Sequence, residues 1–250
     1  MDLKKSVSSR FPELDIFRGL AISYMIFLHV LWDLDYFNIL PLHGGIYQFN
    51  KIVPLMFFML IGICLSISYS KKYQHDTKLM IRHLTLRGLW IIGLGMIITV
   101  VTLVFMPERP IFFGVLHCIG LSIILTIPFM QLKKFNVIPG AVMVLIGFAI
   151  SMFSVQNPSA LHLIVGLHPA GFWRYTIDYF PLFPWLGVML LGVAVGNLLY
   201  KNGQRQFKFP DFIAHYKPVS ALSWMGQHSL IIYLIHQPVI AGILGLYIVI

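Results

Sequence analysis

Seven runs of mostly apolar residues, separated by short polar loops, constrain what this chain can fold into. They lie at approximately 15–36, 52–70, 86–106, 112–131, 136–154, 181–200 and 226–249. A helix of about 20 such residues crosses the roughly 30 Å hydrocarbon core of a bilayer. In that core each backbone N–H and C=O needs an internal partner, which a helix supplies by itself. Apolar types make up 58% of the 250 residues and charged types 11%. A soluble domain carries about 25% charged residues. The balance excludes a disordered chain, a disulfide-stapled secreted module and an ordinary cytosolic globule. The expected fold is all-α: a polytopic membrane helix bundle of about seven transmembrane helices, one domain over residues 1–250, multi-pass in the cell membrane.

The loops predict which way the bundle faces. Lys4, Lys5, Arg10 and Arg18 precede or open the first run, and Lys71, Lys72, Lys78, Arg82 and Arg87 lie between the second and third. Lys133 and Lys134 separate the fourth and fifth, and Lys201, Arg205, Lys208 and Lys217 the sixth and seventh. Only Lys51, Arg109 and Arg174 fall on the other side, a ratio of fifteen to three. Cytoplasmic loops carry the excess of Lys and Arg, so the N-terminus is expected in the cytoplasm and the C-terminus outside. The net charge of +9 therefore belongs to loops at a membrane surface, and no nucleic-acid partner is expected. The first apolar run carries Arg18 and closes on no small-residue cleavage site, so it does not read as a cleavable signal. Cys64 and Cys118 both sit inside apolar runs, with neither a disulfide framework nor a metal-type spacing.

An ionisable group inside a bilayer costs at least a few kcal/mol unless it meets a partner or a water-filled cavity. The polar residues within the runs are therefore the informative ones. In the first, Asp15, Arg18, His29 and Asp33 fall on one stripe at about 100° per residue. Arg18 to His29 rises about 16 Å. The stripe reads either as an interfacial Asp15–Arg18 pair with one satisfied histidine, or as a polar path joining the two faces. In the last run Ser229, Tyr233 and His236 share a face, and Pro238 is expected to kink the helix. That face reads equally as an interhelical hydrogen-bond cluster or as a functional one. His117 enters from the external side, to a depth expected to be similar to that of His29, and reads as a packing histidine or a ligand contact. Arg82 and Arg87 flank the cytoplasmic end of the third run, where arginines anchor helices at headgroups or bind phosphate bidentately. Gly192-x-x-x-Gly196 predicts a close helix contact. His43, beside Gly44-Gly45 in the first external loop, reads as a solvated histidine or one next to a ligand. The longest stretch between runs, 155–180, holds His162, His168, Arg174 and Asp178, with an apolar piece at 160–167 that can lie on the membrane.

The segment Leu14-Asp15-Ile16-Phe17-Arg18-Gly19-Leu20-Ala21, with Arg18-x10-His29, resembles the opening helix of transmembrane acyltransferases. The resemblance is closer to the catalytic domain of heparan-α-glucosaminide N-acetyltransferase and its prokaryotic relatives. It continues in Arg87-Gly88-Leu89-Trp90-Ile91-Ile92-Gly93, in Gly114-Val115-Leu116-His117-Cys118-Ile119-Gly120 and in Asp178-Tyr179-Phe180-Pro181-Leu182-Phe183-Pro184-Trp185-Leu186-Gly187. It closes in Gly226-Gln227-His228-Ser229, running on through Tyr233 to His236-Gln237-Pro238, and so covers nearly the whole chain.

The resemblance implies an acyl group, acetyl by preference, moved from cytoplasmic acyl-coenzyme A to a hydroxyl or amine, often of a sugar, on the far side. It implies no metal. The Arg-x10-His pair carries over to Arg18 and His29. The heparan enzyme's active histidine in its first luminal loop is matched by His43, and that enzyme has Asn at the position of His29 and Arg at that of Cys118. His29, His43 and Asp33 are accordingly the expected catalytic residues, with His29 acting as general base or through an acyl-histidine. Arg18, Arg82 and Arg87, with His117 and His236, are expected to bind the acyl-coenzyme A, and Asp178 and Trp185 the acceptor. Membrane lipid is an expected partner, and a homodimer is compatible with the pattern. Two other classes fit the polar stripe: a proton-coupled transporter, for which it would be a relay, and a non-catalytic seven-helix sensor or assembly protein.

Overall fold

Pro12 opens the first helix, α1 (Pro12–Tyr36), where its fixed φ is pre-set and its missing N–H would be unpaired in any case. Glu13 and Asp15 stand in the first turn, where carboxylates complement the positive end of the helix dipole. In the computed structural model the described residues, 11–40, 51–210 and 216–249, form helices and connecting turns with no strand among them. α2 (Ile52–Ser68) runs on through a π-helical turn at Tyr69–Tyr73. α3 (Thr77–Phe105) is capped by Asp76, whose carboxylate accepts the Leu79 N–H at 2.8 Å. α4 (Val115–Thr126), a 3₁₀ segment (Ile127–Asn136) and α5 (Val137–Ile150) follow without a gap. The short α6 (Ala160–Val165) precedes α7 (Leu182–Leu199). α8 (Lys217–Gln227) and α9 (Ser229–Val249) complete the described chain.

These residues fall into two compact units, one from Met1–Phe57 with Lys208–Ile250 and one from Phe58–Phe207. In the first, α1 packs against α8 and α9. Glycine makes the α1–α8 crossing close: a Cβ on Gly19 would overlap the Leu222 carbonyl, and one on Gly226 the Asp15 carbonyl. Small residues let helix backbones approach in this way where lipid offers no hydrophobic drive between helices. Ile22, Met25, Leu28 and Val53 form the buried core of the unit, with Met225, Ile232 and Tyr233 packed on it.

In the second unit α7 is the central helix, in contact with α4 and α5. Its Gly192 and Gly196 lie against Met59 and against Ile63 and Ser66 of α2, the close-packing face expected of Gly192-x-x-x-Gly196. α3 is peripheral, with Val100, Val104 and Phe105 exposed along it. Leu145 and Phe148 of α5 are exposed too. Contiguous apolar faces of this kind are what lipid covers, and the chain is a membrane protein.

The helices differ from the seven runs in two places. Among the described residues five helical stretches are long and apolar enough to cross a membrane, or six if the bent α8–α9 pair counts as one. The fourth and fifth runs merge into the single helical stretch Val115–Ile150, which breaks at Lys133 (φ 50°, ψ −121°), beside the expected Lys133–Lys134 loop. The α-helices within it have 12 and 14 residues, because 3₁₀ backbone and non-helical flanks account for the rest of each run. Hydropathy registers composition and not helix type. In the last run the sharp bend, 88°, falls at His228 between α8 and α9, while helix continues through Pro238.

Candidate active site

α1 and α9 bring two histidines together. The His29 and His236 rings meet edge to face, with centroids 4.7 Å apart at 88°. His29 Nδ1 lies 2.9 Å from the Met25 carbonyl, and His236 Nδ1 lies 2.5 Å from the Tyr233 carbonyl. A carbonyl oxygen only accepts, so in both rings Nδ1 carries the proton. Each neutral imidazole therefore presents a lone pair at Nε2. His236 is 9% exposed and its Nε2 is buried without a hydrogen-bond partner. His29 is half-buried. A neutral imidazole with a fixed tautomer and a free Nε2 is the form that takes a proton from an attacking hydroxyl or amine.

Asp33, one helical turn beyond His29, is 2% exposed. Gln237 Nε2 donates to both of its carboxylate oxygens, at 2.9 and 3.0 Å. The carbonyl of Met25 thus orients His29, while Asp33 ties α1 to α9. At the other end of the stripe Arg18 donates to Asp15 Oδ1 at 2.8 Å. The first run therefore contains the Arg18–Asp15 pair read from it and, further along the helix, the Asp33 carboxylate buried against Gln237.

The remaining sites lie in the second unit. His117, at the third position of α4, is 5% exposed and accepts the Gly114 N–H at Nδ1 over 3.3 Å. Its proton therefore sits on Nε2, the tautomer opposite to that of His29 and His236. His117 Nε2 is buried with no partner, and the ring lies where a Cβ of Gly95 would be, 2.9 Å from that point. Asp178 Oδ2 accepts the Val115 N–H at 3.0 Å, placing a carboxylate at the α4 N-terminus. Next to it, burial pushes the Tyr179 phenol up, aided by neighbouring Cys118, so it stays a donor to the Leu163 carbonyl at 2.5 Å. The apolar piece read at 160–167 is α6, capped by Ser159 and closed by Gly166 at φ 118°. Trp185 stacks on Phe58, with centroids 5.4 Å apart, and packs against Phe180. Arg82 and Arg87 are both exposed on α3, about 140° apart around the helix. His43 lies outside the described residues.

Sequence reasoning assigned Gln237 no role. The signal was available: a carboxylate inside an apolar run needs a donor, and the final run carries a side-chain amide at Gln237. The capping role of His117 carried no such signal, because Gly114 has no side chain and Gly-x-x-His is not the Ser/Thr-x-x-Glu/Gln pattern of a capping box.

A histidine pair and a buried carboxylate within membrane helices mark a candidate functional site, because ionisable groups are costly there unless they serve one another or a ligand. The catalytic-domain family of heparan-alpha-glucosaminide N-acetyltransferase matches residues 10–238, and the chain belongs to that family. It is thereby a membrane acyltransferase. No curated protein and no solved structure gives a significant match to it.

Proposed function

We propose that this protein moves an acetyl or other short acyl group from cytoplasmic acyl-coenzyme A to a hydroxyl or amine, of sugar type, at the external face of the cell membrane. The observation that carries this reading is the His29 imidazole: its Nδ1 is committed to the Met25 carbonyl, its Nε2 is left as a base, and it stands within a membrane helix of an acyltransferase family. The family match runs through both units, which supports treating the chain as one acyltransferase-like domain.

Coenzyme A would supply the acyl group as an activated thioester. Arg82 and Arg87, exposed on α3, fit anionic phosphate, and Arg18 adds a guanidinium at the end of α1 expected to face the cytoplasm. His29 Nε2 takes the proton of the acceptor's hydroxyl or amine as that atom attacks, and neutral imidazole suits the task near pH 7. Asp178 and Trp185 are the proposed acceptor contacts, and His117 is a proposed donor contact through its unpartnered Nε2–H. His43 is the alternative catalytic histidine. The transporter reading differs in outcome, since it requires solute flux with the thioester intact.

Arg18→Ala and Arg87→Ala should each weaken acetyl-coenzyme A binding about tenfold or more, because a charge-assisted hydrogen bond contributes about 1.5–3 kcal/mol. Lysine should restore part of the loss, lacking the planar fork. Isothermal titration of purified protein reads the effect, and unchanged binding by both alanine variants removes the assignment. The seven-span arrangement has its own test. Single cysteines placed in 201–210 should resist an impermeant thiol reagent on intact cells, and those in 155–170 should react. Outside labelling of 201–210 reverses the orientation.

A further inference from the structure

Asp33 poses an electrostatic problem that its visible partner does not solve. It is 2% exposed, its hydrogen-bond donor is the neutral Gln237 amide, and among the described residues no Lys or Arg pairs with it. A buried carboxylate without a compensating cation is costly. The bases placed to compensate it are the two imidazoles, His29 one turn back on α1 and His236 beside Gln237 on α9. Their rings touch, so two positive charges there would repel strongly and the pair accepts one proton in preference to two. Each has Nδ1–H tied to a backbone carbonyl, so both would bind that proton at Nε2. His236 Nε2 is buried without a partner, as is Oε1 of the adjoining Gln237.

We propose that His29, His236 and Asp33 form a single proton-holding unit, in which His236 is a positioning residue that shares the proton taken by His29 while the Asp33 carboxylate balances its charge. The inference rests on the acyltransferase reading for its place in turnover. As the acceptor's X–H bond breaks and X bonds to the acyl carbon, the proton moves to His29 Nε2. There it is shared with the lone pair of His236 Nε2, and it returns through His29 Nε2 to protonate the departing thiolate, so one proton leaves the acceptor and one thiol forms. The Tyr233 ring faces the pair, its centroid 5.5 Å from that of His236, and a phenol keeps its proton in the range where imidazoles titrate. Arg18 is tied to Asp15 three turns away along α1, and Asp35 is two residues beyond Asp33. Tyr24 lies on α1, Tyr233 offers its carbonyl to His236, His228 Nδ1 bonds the Trp224 carbonyl at the α8–α9 bend, and Lys51 is exposed before α2.

Nitrogen-15 NMR of wild-type protein carrying labelled histidine in detergent tests the unit without any substrate. The expected result is that the His29 and His236 Nε2 signals move together at one midpoint, with one proton bound by the pair, and that Asp33→Asn moves this midpoint to lower pH by removing the balancing charge. Two independent titrations, or protons resting on Nε2 in neutral rings, overturn the proposal. In turnover, His236→Gln should lower kcat by at least about tenfold and displace the acid limb of the kcat profile. A His236→Gln enzyme with wild-type kcat and pH profile also overturns it. If wild-type protein shows the shared titration and yet transfers no acyl group, the acyltransferase reading fails and the proton-holding unit stands.

Discussion

His29→Ala should lose about 10²–10⁴-fold of acyl-transfer turnover, the usual contribution of a general base, while binding acetyl-coenzyme A as wild type does. The binding contacts assigned to Arg18, Arg82 and Arg87 do not involve the imidazole. The truncation also leaves α1 intact, because His29 is half-buried and its Nδ1 bond goes to the backbone one turn earlier. The assay is thiol release coupled to acceptor acylation by purified protein, with folding checked by thermal unfolding. His43→Ala should raise the acceptor's KM and leave kcat nearly unchanged. An active His29→Ala and an inactive His43→Ala would move the chemistry into the first external loop, and full activity in both would remove histidine base catalysis from this chain.

Gly226→Leu should be among the most destabilising single substitutions in the protein. The α1–α8 crossing brings the Asp15 carbonyl to where a Cβ of residue 226 would sit, and Gly19 N is 2.9 Å from the same point. Flexible side chains can give way at such a contact, but here the neighbours are backbone. Overpacking a core costs about 1–3 kcal/mol and more when nothing can yield, so a loss of about 3 kcal/mol or more is expected. Gly242→Ala is the control, since nothing lies within 4 Å of its added Cβ. Thermal unfolding in detergent should separate the two clearly. Equal stability of Gly226→Leu and Gly242→Ala would show that the crossing is looser than described.

The same two helices show how far the sequence could be read. The helix containing Asp15, Arg18, His29 and Asp33 was legible because one unbroken apolar run specifies it, and a continuous helix fixes the stripe by its period. The Arg18–Asp15 pair follows from the spacing of three. What Asp33 meets was not legible, because Gln237 is 204 residues away and only packing brings it near. His236 was placed on a polar face, but its edge contact with His29 depends on how α1 and α9 cross. The break at Lys133 was marked by the Lys133–Lys134 charges, but the bend at His228 escaped for a different reason. The pattern that marks a membrane run registers composition, so it carries no information about a right-angle turn near the start of one. The bend at His228 also makes α8 a helix of its own, with Lys217 and Pro218 in its first turn, where the loop charges had suggested only a connection.

The central claim is that this family member uses an acyl-coenzyme A donor, and it can be measured before any acceptor is known. Purified wild-type protein, titrated with acetyl-coenzyme A in detergent, should bind it saturably. Binding should weaken in Arg18→Ala and Arg87→Ala and persist in His29→Ala. A folded wild-type protein that binds neither acetyl-coenzyme A nor a longer acyl-coenzyme A would contradict the account.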